Sequence, residues 1–394
     1  MELRYGFDSM STLASGLALA SVEHPVRLEA LAQVLVRAGV STAAAVAAAA
    51  WDGTRWNLDS AAYGRLGAGD IEPKADRHTF FDLASLTKPI AALTAARLAR
   101  AGSLEFSDPL GQWVPEANGT PSEQAPLDLL FAHRAGLAGY GALYRHLARG
   151  CIVSGSALLA EAASARRDDA PGALGADGVA PVYSDLGYLL AGEAVARAGG
   201  GDLDALMERE VLAPLGCEVG SARRVAARDA HFRRRVATTE RVAWRGGCLR
   251  GYVHDENAWA FAGEGAAGHA GLFGTAEGVL RLGVAVVDVA RGRFDGFLRV
   301  DELERLIRPR PLGTLRAGFD GKSERGSSAG NRFGPSTVGH LGFTGTSVWC
   351  DLERQWVGVL LTNRVHPTRT NDTIRVARPL VYDAIAAWAL ERSA

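Results

Sequence analysis

Ser85 and Lys88 are the first pair of residues in this sequence whose types and spacing could do chemistry. They stand where the extended segment TFFDLA passes into a helical pattern, and a spacing of three places both side chains on one helix face. A serine hydroxyl needs a neighbouring base to become a nucleophile. A lysine can be that base if burial lowers its pKa and keeps it neutral. The free amides of a helix N-terminus would also suit a developing oxyanion.

Lysine is scarce in this chain, which draws attention to Lys88. Only three of its 43 cationic side chains are lysines, at positions 74, 88 and 322. One of them falls in an apolar helical pattern, where arginine could not act as a base because it does not deprotonate in proteins. Taken alone, the pair also fits a helix-capping serine beside a lysine that extends its ammonium to solvent. The functional interpretation therefore requires further groups.

Two later segments contain such groups. Tyr183 stands in VYSDLG directly before a helical pattern and could carry a proton, whereas Ser184 or Asp185 could cap that helix. The segment GHLGFTGTS, residues 339–347, reads as part of a late strand. Glycines within a strand indicate the close approach of a ligand or another backbone. A backbone N–H there could complete an oxyanion hole with that of Ser85.

In chain order, Ser85-x-x-Lys88, Tyr183-x-Asp185 and His340-x-Gly342 resemble the three motifs of the penicillin-binding protein and class C β-lactamase superfamily. LLFAHRAGL at 129–137 and AGHAGLFGTAEGV at 267–279 are further matches, so the resemblance covers roughly residues 45 to 390. It implies an α/β (α+β) fold. In that fold an antiparallel sheet built from both chain ends is flanked by helices, beside a mostly helical subdomain.

The resemblance also implies a role for each motif residue. Ser85 would be acylated, and Lys88 would take or relay its proton. Tyr183 would protonate the leaving group and activate the deacylating water. The backbone N–H groups of Ser85 and Phe343 would hold the oxyanion. Asp185 stands where the family usually has Asn, and it would orient the Lys88 ammonium or contact the substrate.

The third motif departs from the usual Lys-Thr-Gly of the family. Here it is His340-Leu341-Gly342, which keeps at best a partial cation and lacks the hydroxyl that binds a substrate carboxylate. Esterase-like and peptidase-like members resemble this version. The expected protein is thus a serine hydrolase acting on an amide or ester bond of small peptide, muropeptide or ester substrates. A true β-lactamase or D-alanyl carboxypeptidase is the alternative, and a non-catalytic binding protein on the same scaffold is an alternative of a different class.

Four further residues are candidates for the cleft. His254, Asp255 and Asn257 stand in VHDENA, which is similar to a loop of the same hydrolase branch; a hydrogen-bonded loop that anchors the sheet edge is the alternative. Arg364 could bind a substrate carboxylate in place of the missing lysine, or form a salt bridge that fixes the C-terminal helix. His254 and His269 lack the tight spacing of a metal site, so neither a metal nor a cofactor is expected.

The hydrophobic pattern predicts the elements that position these residues. An amphipathic helix over residues 27–38 precedes two strands joined at Asp52-Gly53, and a helix apolar on all sides covers residues 86–101. VGHLGFTGTSVWCD and QWVGVLLTNR read as neighbouring strands, and RVARPLVYDAIAAWAL as a closing helix. We predict an N-terminal helical extension over 1–40, a sheet domain from 41–103 and 246–394, and a mostly helical subdomain over 104–245.

Composition limits the partners and the compartment. A net charge of -1 argues against a nucleic-acid partner, which would require a basic surplus. No stretch approaches the roughly 20 apolar residues of a membrane span, and the N-terminus lacks the basic region of a secretory signal. Four cysteines without a C-x-x-C pair indicate a reducing compartment. A cytoplasmic enzyme with a small-molecule or peptide substrate is expected, and its oligomeric state is not predicted.

Overall fold

The computed structural model describes residues 13–17, 26–170 and 174–393. Residues 13–17 are helical. The helices that follow are α1 Leu28–Arg37, α2 Thr87–Arg100, α3 Leu110–Trp113, α4 Leu127–Phe131, α5 Arg145–Ala148, α6 Gly155–Ser164, α7 Asp185–Ala198, α8 Leu203–Met207, α9 Ala222–Arg228, α10 Glu256–Ala262, α11 Ala276–Ala290, α12 Val300–Ile307 and α13 Ile374–Leu390. The strands are β1 Ala43–Trp51, β2 Trp56–Gly64, β3 Phe81–Asp82, β4 Val219–Ser221, β5 Arg241–Val242, β6 Gly247–Cys248, β7 Leu272–Gly274, β8 Asp320–Gly321, β9 Thr337–Leu341, β10 Ser347–Asp351 and β11 Trp356–Thr362.

A six-stranded sheet with the order β2-β1-β11-β10-β9-β8 forms the centre of the fold. Every pairing in it is antiparallel. β1 pairs with β2 on one side and with β11 on the other, so strands from both ends of the sequence lie side by side. The predicted α/β class, with an antiparallel sheet built from both chain ends, is confirmed.

β1 is almost all alanine, yet it is a strand buried along nearly its whole length. Side chains alternate across a strand, and here they enter two separate cores. The odd-numbered residues from Ala43 to Ala49 pack in the core that contains α2 and α11. The even-numbered residues from Ala44 to Ala50 pack in the core that contains α1 and α13. Burial on both faces thus outweighs the weak strand propensity of alanine.

The segment VGHLGFTGTSVWCD is a hairpin, and the prediction of a single strand there is wrong. β9 ends at Leu341, the chain turns through residues 342–346, and β10 begins at Ser347 and pairs with β9. Gly345 lies in this turn with φ of 105°, a conformation that favours glycine. The third motif therefore spans the end of β9, which contains His340 and Leu341, and the first residue of the turn, Gly342.

The remaining predicted elements agree with the structure to within a few residues. The first helix, the hairpin at Asp52-Gly53 and the closing helix are α1, β1–β2 and α13. α2 is buried over most of its length, as its apolar pattern predicted. Most of the regular elements in residues 104–245 are helices, but the range also includes β5 and β4, and β4 belongs to a three-stranded sheet with β3 and β7. The mostly helical subdomain and the domain limits stay a prediction.

Residues 1–12 and 18–25 lie outside the described residues. These residues include part of the predicted N-terminal extension. The prediction that the N-terminus contains no secretory signal also concerns them. Among the described residues, we find no helix with both the length and the apolar character needed to cross a membrane.

Candidate active site

Ser85 lies in a 3₁₀ turn, Ala84–Leu86, between β3 and α2. Ala84 has a φ of 47°, in the left-handed region that a residue with a Cβ rarely adopts. Asp82 holds this turn, because its Oδ1 accepts the Ala84 N–H at 2.8 Å while its Oδ2 accepts the His254 N–H at 2.8 Å. Burial raises the pKa of the Asp82 carboxyl. The sequence contained no signal for this role of Asp82.

Lys88 is fully buried beneath Ser85. Its Nζ lies 3.0 Å from Ser85 Oγ, 2.6 Å from Asp185 Oδ1 and 3.4 Å from the His269 carbonyl. Burial works to lower the pKa of Lys88, but the Asp185 carboxylate and the Tyr183 phenol raise it above its ordinary value. Burial therefore does not by itself set the pKa of Lys88, because the Asp185 carboxylate accompanies the lysine into the interior.

Tyr183 lies over Lys88, with 4.6 Å between its ring centroid and Nζ. The residue is 37% exposed, and its ring faces the cavity in front of Ser85. Burial of its hydroxyl raises the pKa of Tyr183, while Lys88 and a hydrogen bond with Ser85 lower it, and the pKa remains raised overall. Tyr183 is thus a neutral phenol in contact with both members of the Ser-x-x-Lys pair.

His133 positions Tyr183, a role that the sequence did not reveal. The two rings stack with centroids 4.6 Å apart and 27° between their planes. His133 Nδ1 accepts the Ser184 N–H at 2.9 Å, and its carbonyl accepts the Val182 N–H at 3.1 Å. Burial holds the pKa of His133 well below its usual range, so Nδ1 stays an acceptor. The HRAGL segment is the sequence feature that draws attention to His133, but its spacing does not predict which residues the histidine contacts.

Capping and ion pairing are divided between two adjacent residues at the start of α7. Ser184 Oγ accepts the Gly187 N–H at 3.0 Å and caps the helix. Asp185 is then free to pair with Lys88. Ser184 thus forms the helix cap considered for this segment, while the proton-carrying role of Tyr183 stays a prediction.

The hairpin tip of the third motif lies directly against the nucleophile turn. Thr344 Oγ1 donates to the Asp82 carbonyl at 2.6 Å, and Thr346 Oγ1 donates to the Leu83 carbonyl at 2.9 Å. A Cβ at Gly342 would lie 1.9 Å from Thr346 Oγ1 and 2.6 Å from the Leu83 oxygen. Only glycine fits there, which is the close backbone approach that the glycines in this segment predicted.

Phe343 follows this glycine and forms part of the cavity wall. Its ring stacks on His254 with centroids 5.8 Å apart, and the Arg364 guanidinium lies 4.5 Å from its centroid. Within the described chain, neither the Phe343 N–H nor the Ser85 N–H donates a hydrogen bond. Both amides are therefore available to a carbonyl oxygen of a substrate.

His340 lies behind Tyr183 and does not line the cavity. The two ring centroids are 6.0 Å apart, and His340 Nδ1 lies 2.8 Å from the Leu341 carbonyl. Burial and the nearby Lys88 ammonium lower the pKa of His340 to about 3. The third motif thus supplies no positive charge at neutral pH.

Within the described part of the chain, the structure shows no salt bridge between Arg364 and the C-terminal helix, one of the two roles considered for this residue. Its Nε donates to the Phe343 carbonyl at 2.8 Å, and its Nη1 donates to the carbonyls of Arg369 and Asn371 at 2.9 and 2.8 Å. Arg364 therefore fixes the loop between β11 and α13 through backbone carbonyls. In that loop Arg369, in turn, pairs with Glu240 and Glu256.

The VHDENA segment divides between the cavity and the loop behind it. His254 Nε2 lies 2.9 Å from Glu240 Oε2, and Asp255 Oδ1 lies 3.0 Å from His269 Nε2. Among the residues that the structure describes, no group of three metal-binding side chains gathers here or elsewhere. Asn257 is buried, does not line the cavity, and anchors a neighbouring loop through the Gly141 carbonyl.

Most of the residues predicted to form the site line one cavity of about 660 Å³. Those that line it are Ser85, Tyr183, Asp185, His254, Asp255, Gly342, Phe343 and Arg364. Lys88 lies buried beneath it. A larger cavity of about 1070 Å³, between α4 and α12, contains neither Ser85 nor Lys88. We call the smaller one the Ser85 cavity.

A family model described as Beta-lactamase matches residues 32–381. The chain belongs to the Beta-lactamase family. A putative D-alanyl-D-alanine carboxypeptidase of Salmonella agona is 25% identical over 324 residues, which are 76% of this chain and 73% of that protein. An N-acetylmuramyl-L-alanine amidase of Bacillus subtilis is 27% identical over 321 residues, 74% of this chain and 70% of that protein.

Two solved structures share the fold of this member of the Beta-lactamase family. EstCE1, a hydrolase with promiscuous acyltransferase activity, superposes with a TM-score of 0.65 at 20% identity, over 93% of this chain and 99% of its own. A class C beta lactamase from Rhodobacter sphaeroides gives a TM-score of 0.63 at 15% identity, over 90% of this chain and 97% of its own. The predicted superfamily, fold and serine-hydrolase class are confirmed.

Proposed function

We propose that the chain hydrolyses its amide or ester substrate through an acyl group carried on Ser85. The observation that carries this proposal is the distance of 3.0 Å between Lys88 Nζ and Ser85 Oγ at the floor of an open cavity. Acyl transfer requires a nucleophile and a group that handles its proton within hydrogen-bond reach. Tyr183 and Asp185 line the same cavity.

In the first step, Ser85 Oγ attacks the carbonyl carbon while its one proton passes to the pair formed by Lys88 and Tyr183. Both of these groups have raised pKa values, so the reactive form is the one in which the pair has lost one proton. Tyr183 then gives a proton to the leaving group, and later takes one from the water that releases the acyl group. The N–H groups of Ser85 and Phe343 hold the oxyanion in both steps.

The substrate class that we favour is a small peptide or muramoyl-peptide amide. The names of the two relatives, a carboxypeptidase and a muramyl amidase, support this class. Peptides carry a terminal carboxylate, and Arg375 is an exposed cation in the wall of the Ser85 cavity. Because Nε and Nη1 of Arg364 bind backbone carbonyls, Arg375 is the better candidate for this carboxylate. Efficient β-lactam hydrolysis is not expected, since His340 is neutral.

The cytoplasmic location predicted from the sequence is part of this proposal. It is supported by the four cysteines, all of which are free thiols. Disulfides form in oxidising compartments and are rare in the cytosol.

A hydrolysis screen tests the proposed function. It would compare p-nitrophenyl esters, nitrocefin, D-alanyl peptides and muropeptides, with Ser85→Ala as the control variant. We expect hydrolysis of esters and of at least one amide class, labelling of Ser85 by a fluorophosphonate, and loss of both in Ser85→Ala. Activity that survives in Ser85→Ala and disappears with a chelator would replace the acyl-serine mechanism with a metal-dependent one. A folded protein that neither hydrolyses nor labels would favour a binding module.

A further inference from the structure

A row of aromatic side chains leads out of the Ser85 cavity. Tyr140 lines the cavity, is 52% exposed, and forms a hydrogen bond with Tyr144. Tyr144 stacks on Trp244, with ring centroids 5.6 Å apart and 13° between their planes. Trp244 is 39% exposed. We call Tyr140, Tyr144 and Trp244 the aromatic shelf.

The aromatic shelf is held rigidly to the catalytic elements. Asn257 Oδ1 accepts the Tyr144 N–H at 3.2 Å, and Asn257 Nδ2 donates to the Gly141 carbonyl at 2.7 Å. The Gly139 carbonyl accepts the N–H of Asp185 at 2.9 Å. The loop that carries both tyrosines is therefore tied to the residue that pairs with Lys88, so its position relative to Ser85 is fixed.

The underside of the shelf is packed and its edge is polar. Trp259 meets Trp244 edge-on at 5.9 Å, and the Arg245 guanidinium lies 4.1 Å from the Trp259 centroid. Glu256, one turn before Trp259 on α10, lines the Ser85 cavity beside Tyr140. A carboxylate and a phenol hydroxyl thus border a surface whose upper face is aromatic. Large exposed aromatic rings in such a setting indicate a binding surface.

We propose that the aromatic shelf binds the pyranose ring of the substrate, an inference that rests on the proposed muramoyl-amide class. One face of a pyranose presents C–H groups that pack on aromatic rings, while its hydroxyl and acetamido groups seek hydrogen-bond partners. The shelf offers the rings, and Tyr140 and Glu256 offer the partners. A sugar seated there leaves the adjoining acyl carbon at the mouth of the Ser85 cavity. The shelf therefore selects the sugar, and the cavity performs the chemistry.

The test compares two amides with the same scissile bond, N-acetylmuramoyl-L-alanine and D-lactoyl-L-alanine, of which only the first has a sugar. In the wild type, we expect kcat/KM to be about tenfold or more higher for the sugar-bearing amide. In Trp244→Ala that preference should fall to less than about threefold, mainly through KM. Hydrolysis of p-nitrophenyl acetate, which does not reach the shelf, should stay within about twofold. Leu58→Ala, which removes an exposed apolar side chain from β2, is the matched control and should change none of these values.

Equal wild-type rates for the two amides would overturn the inference, and so would a loss in Trp244→Ala that is the same for all three substrates. If the wild type hydrolyses p-nitrophenyl acetate but neither amide, an inhibition experiment tests whether the shelf binds the sugar. N-acetylmuramic acid should then inhibit ester hydrolysis in the wild type and not in Trp244→Ala, and an absence of inhibition refutes the shelf as a sugar site. Failure of ester hydrolysis and of Ser85 labelling would refute the proposed function instead. Calorimetric titration with the same sugar would still test the shelf.

Discussion

Lys88 is closer to Asp185 than to Ser85: its Nζ lies 2.6 Å from the carboxylate and 3.0 Å from the hydroxyl. The lysine is therefore held as an ammonium within an ion pair that is buried on the lysine side. An ammonium donates its hydrogen bond to Ser85 Oγ, which turns the serine proton away from Lys88. Tyr183 is also hydrogen-bonded with Ser85, so the serine proton can leave only after the Lys88–Tyr183 pair has given up a proton.

Asp185→Asn should shift the pH dependence of the enzyme toward lower pH. The Asp185 carboxylate raises the pKa of both Lys88 and Tyr183, so its removal lowers both and the pair loses its first proton at a lower pH. The rising limb of kcat/KM for p-nitrophenyl acetate, corrected for spontaneous hydrolysis, is expected to move down by about 1–3 pH units. Asp128→Asn, which removes a carboxylate paired with Arg310 outside the cavity, should leave the limb in place. If the rising limb of kcat/KM in Asp185→Asn stays in place or moves to higher pH, then Asp185 does not raise the pKa values of Lys88 and Tyr183.

Lys88→Arg should abolish acylation, because arginine keeps the charge but does not exchange its proton. We expect acylation to slow by about 10²–10⁴-fold, as measured by burst kinetics or by fluorophosphonate labelling of Ser85. Lys74→Arg makes the same exchange at an exposed position and should have no effect.

The slot of Lys88 is fully buried, so the larger guanidinium could unfold the protein. Circular dichroism checks this, and Lys88→Met serves as a second variant with an uncharged chain of similar length. Turnover like that of the wild type in a folded Lys88→Arg protein would show that the residue acts as a fixed cation and takes no part in proton transfer.

Changes at His133 should lower kcat through Tyr183 while leaving KM nearly unchanged. His133→Asn keeps an acceptor and tolerates the φ of 61° at this position, but it loses the ring stacked on Tyr183. His133→Phe keeps the ring and leaves the Ser184 N–H without its partner. We expect kcat losses of about 10–100-fold, larger for His133→Phe.

Gln355→Asn is the control for His133, because residue 355 has a similar φ of 58° in the turn before β11. It should leave kcat unchanged. If both His133 variants match the wild type in kcat, then the stacking and the hydrogen bond do not position Tyr183.

Gly342→Ala should damage both stability and catalysis. The added Cβ would lie 1.9 Å from Thr346 Oγ1 and 2.6 Å from the Leu83 carbonyl, so the hairpin tip must move away from the nucleophile turn. We expect the free energy of unfolding to fall by about 1–3 kcal/mol in urea denaturation, together with a marked loss of ester hydrolysis. Gly201→Ala, where a Cβ meets nothing within 4 Å, should lose neither. An active and fully stable Gly342→Ala protein would refute the close approach.

The sequence predicts the elements of this fold better than it predicts their contacts. Periodicity located α1, α2 and α13, since each depends on its own residues. It failed at residues 342–346, where two glycines and two threonines read as strand but form a tip held by hydrogen bonds to Asp82 and Leu83. Those partners lie far away in the sequence, so no local pattern could identify them.

The same limit applies to charges within the site. Burial of Lys88 was predictable from its apolar neighbours, but the sign of its pKa shift depends on Asp185, whose 2.6 Å contact arises only in the fold. Likewise Arg364 offers the chemistry of a carboxylate site, yet its donors are used by backbone carbonyls. Residue types predicted which groups gather around Ser85. They did not predict which of those groups neutralise one another.

The pairing of β1 with β11 also governs when this enzyme can become active during its synthesis. Ala44 pairs with Thr362 and Ala50 with Trp356, so the centre of the sheet cannot close until β11 has left the ribosome. Until then β1 has an unsatisfied edge, which is the kind of surface that promotes association between nascent chains. Ser85 is translated early but meets the hairpin tip that completes its surroundings only after translation has passed Thr346. The newly made chain must therefore stay unaggregated, and inactive, until the hairpin tip and β11 have emerged.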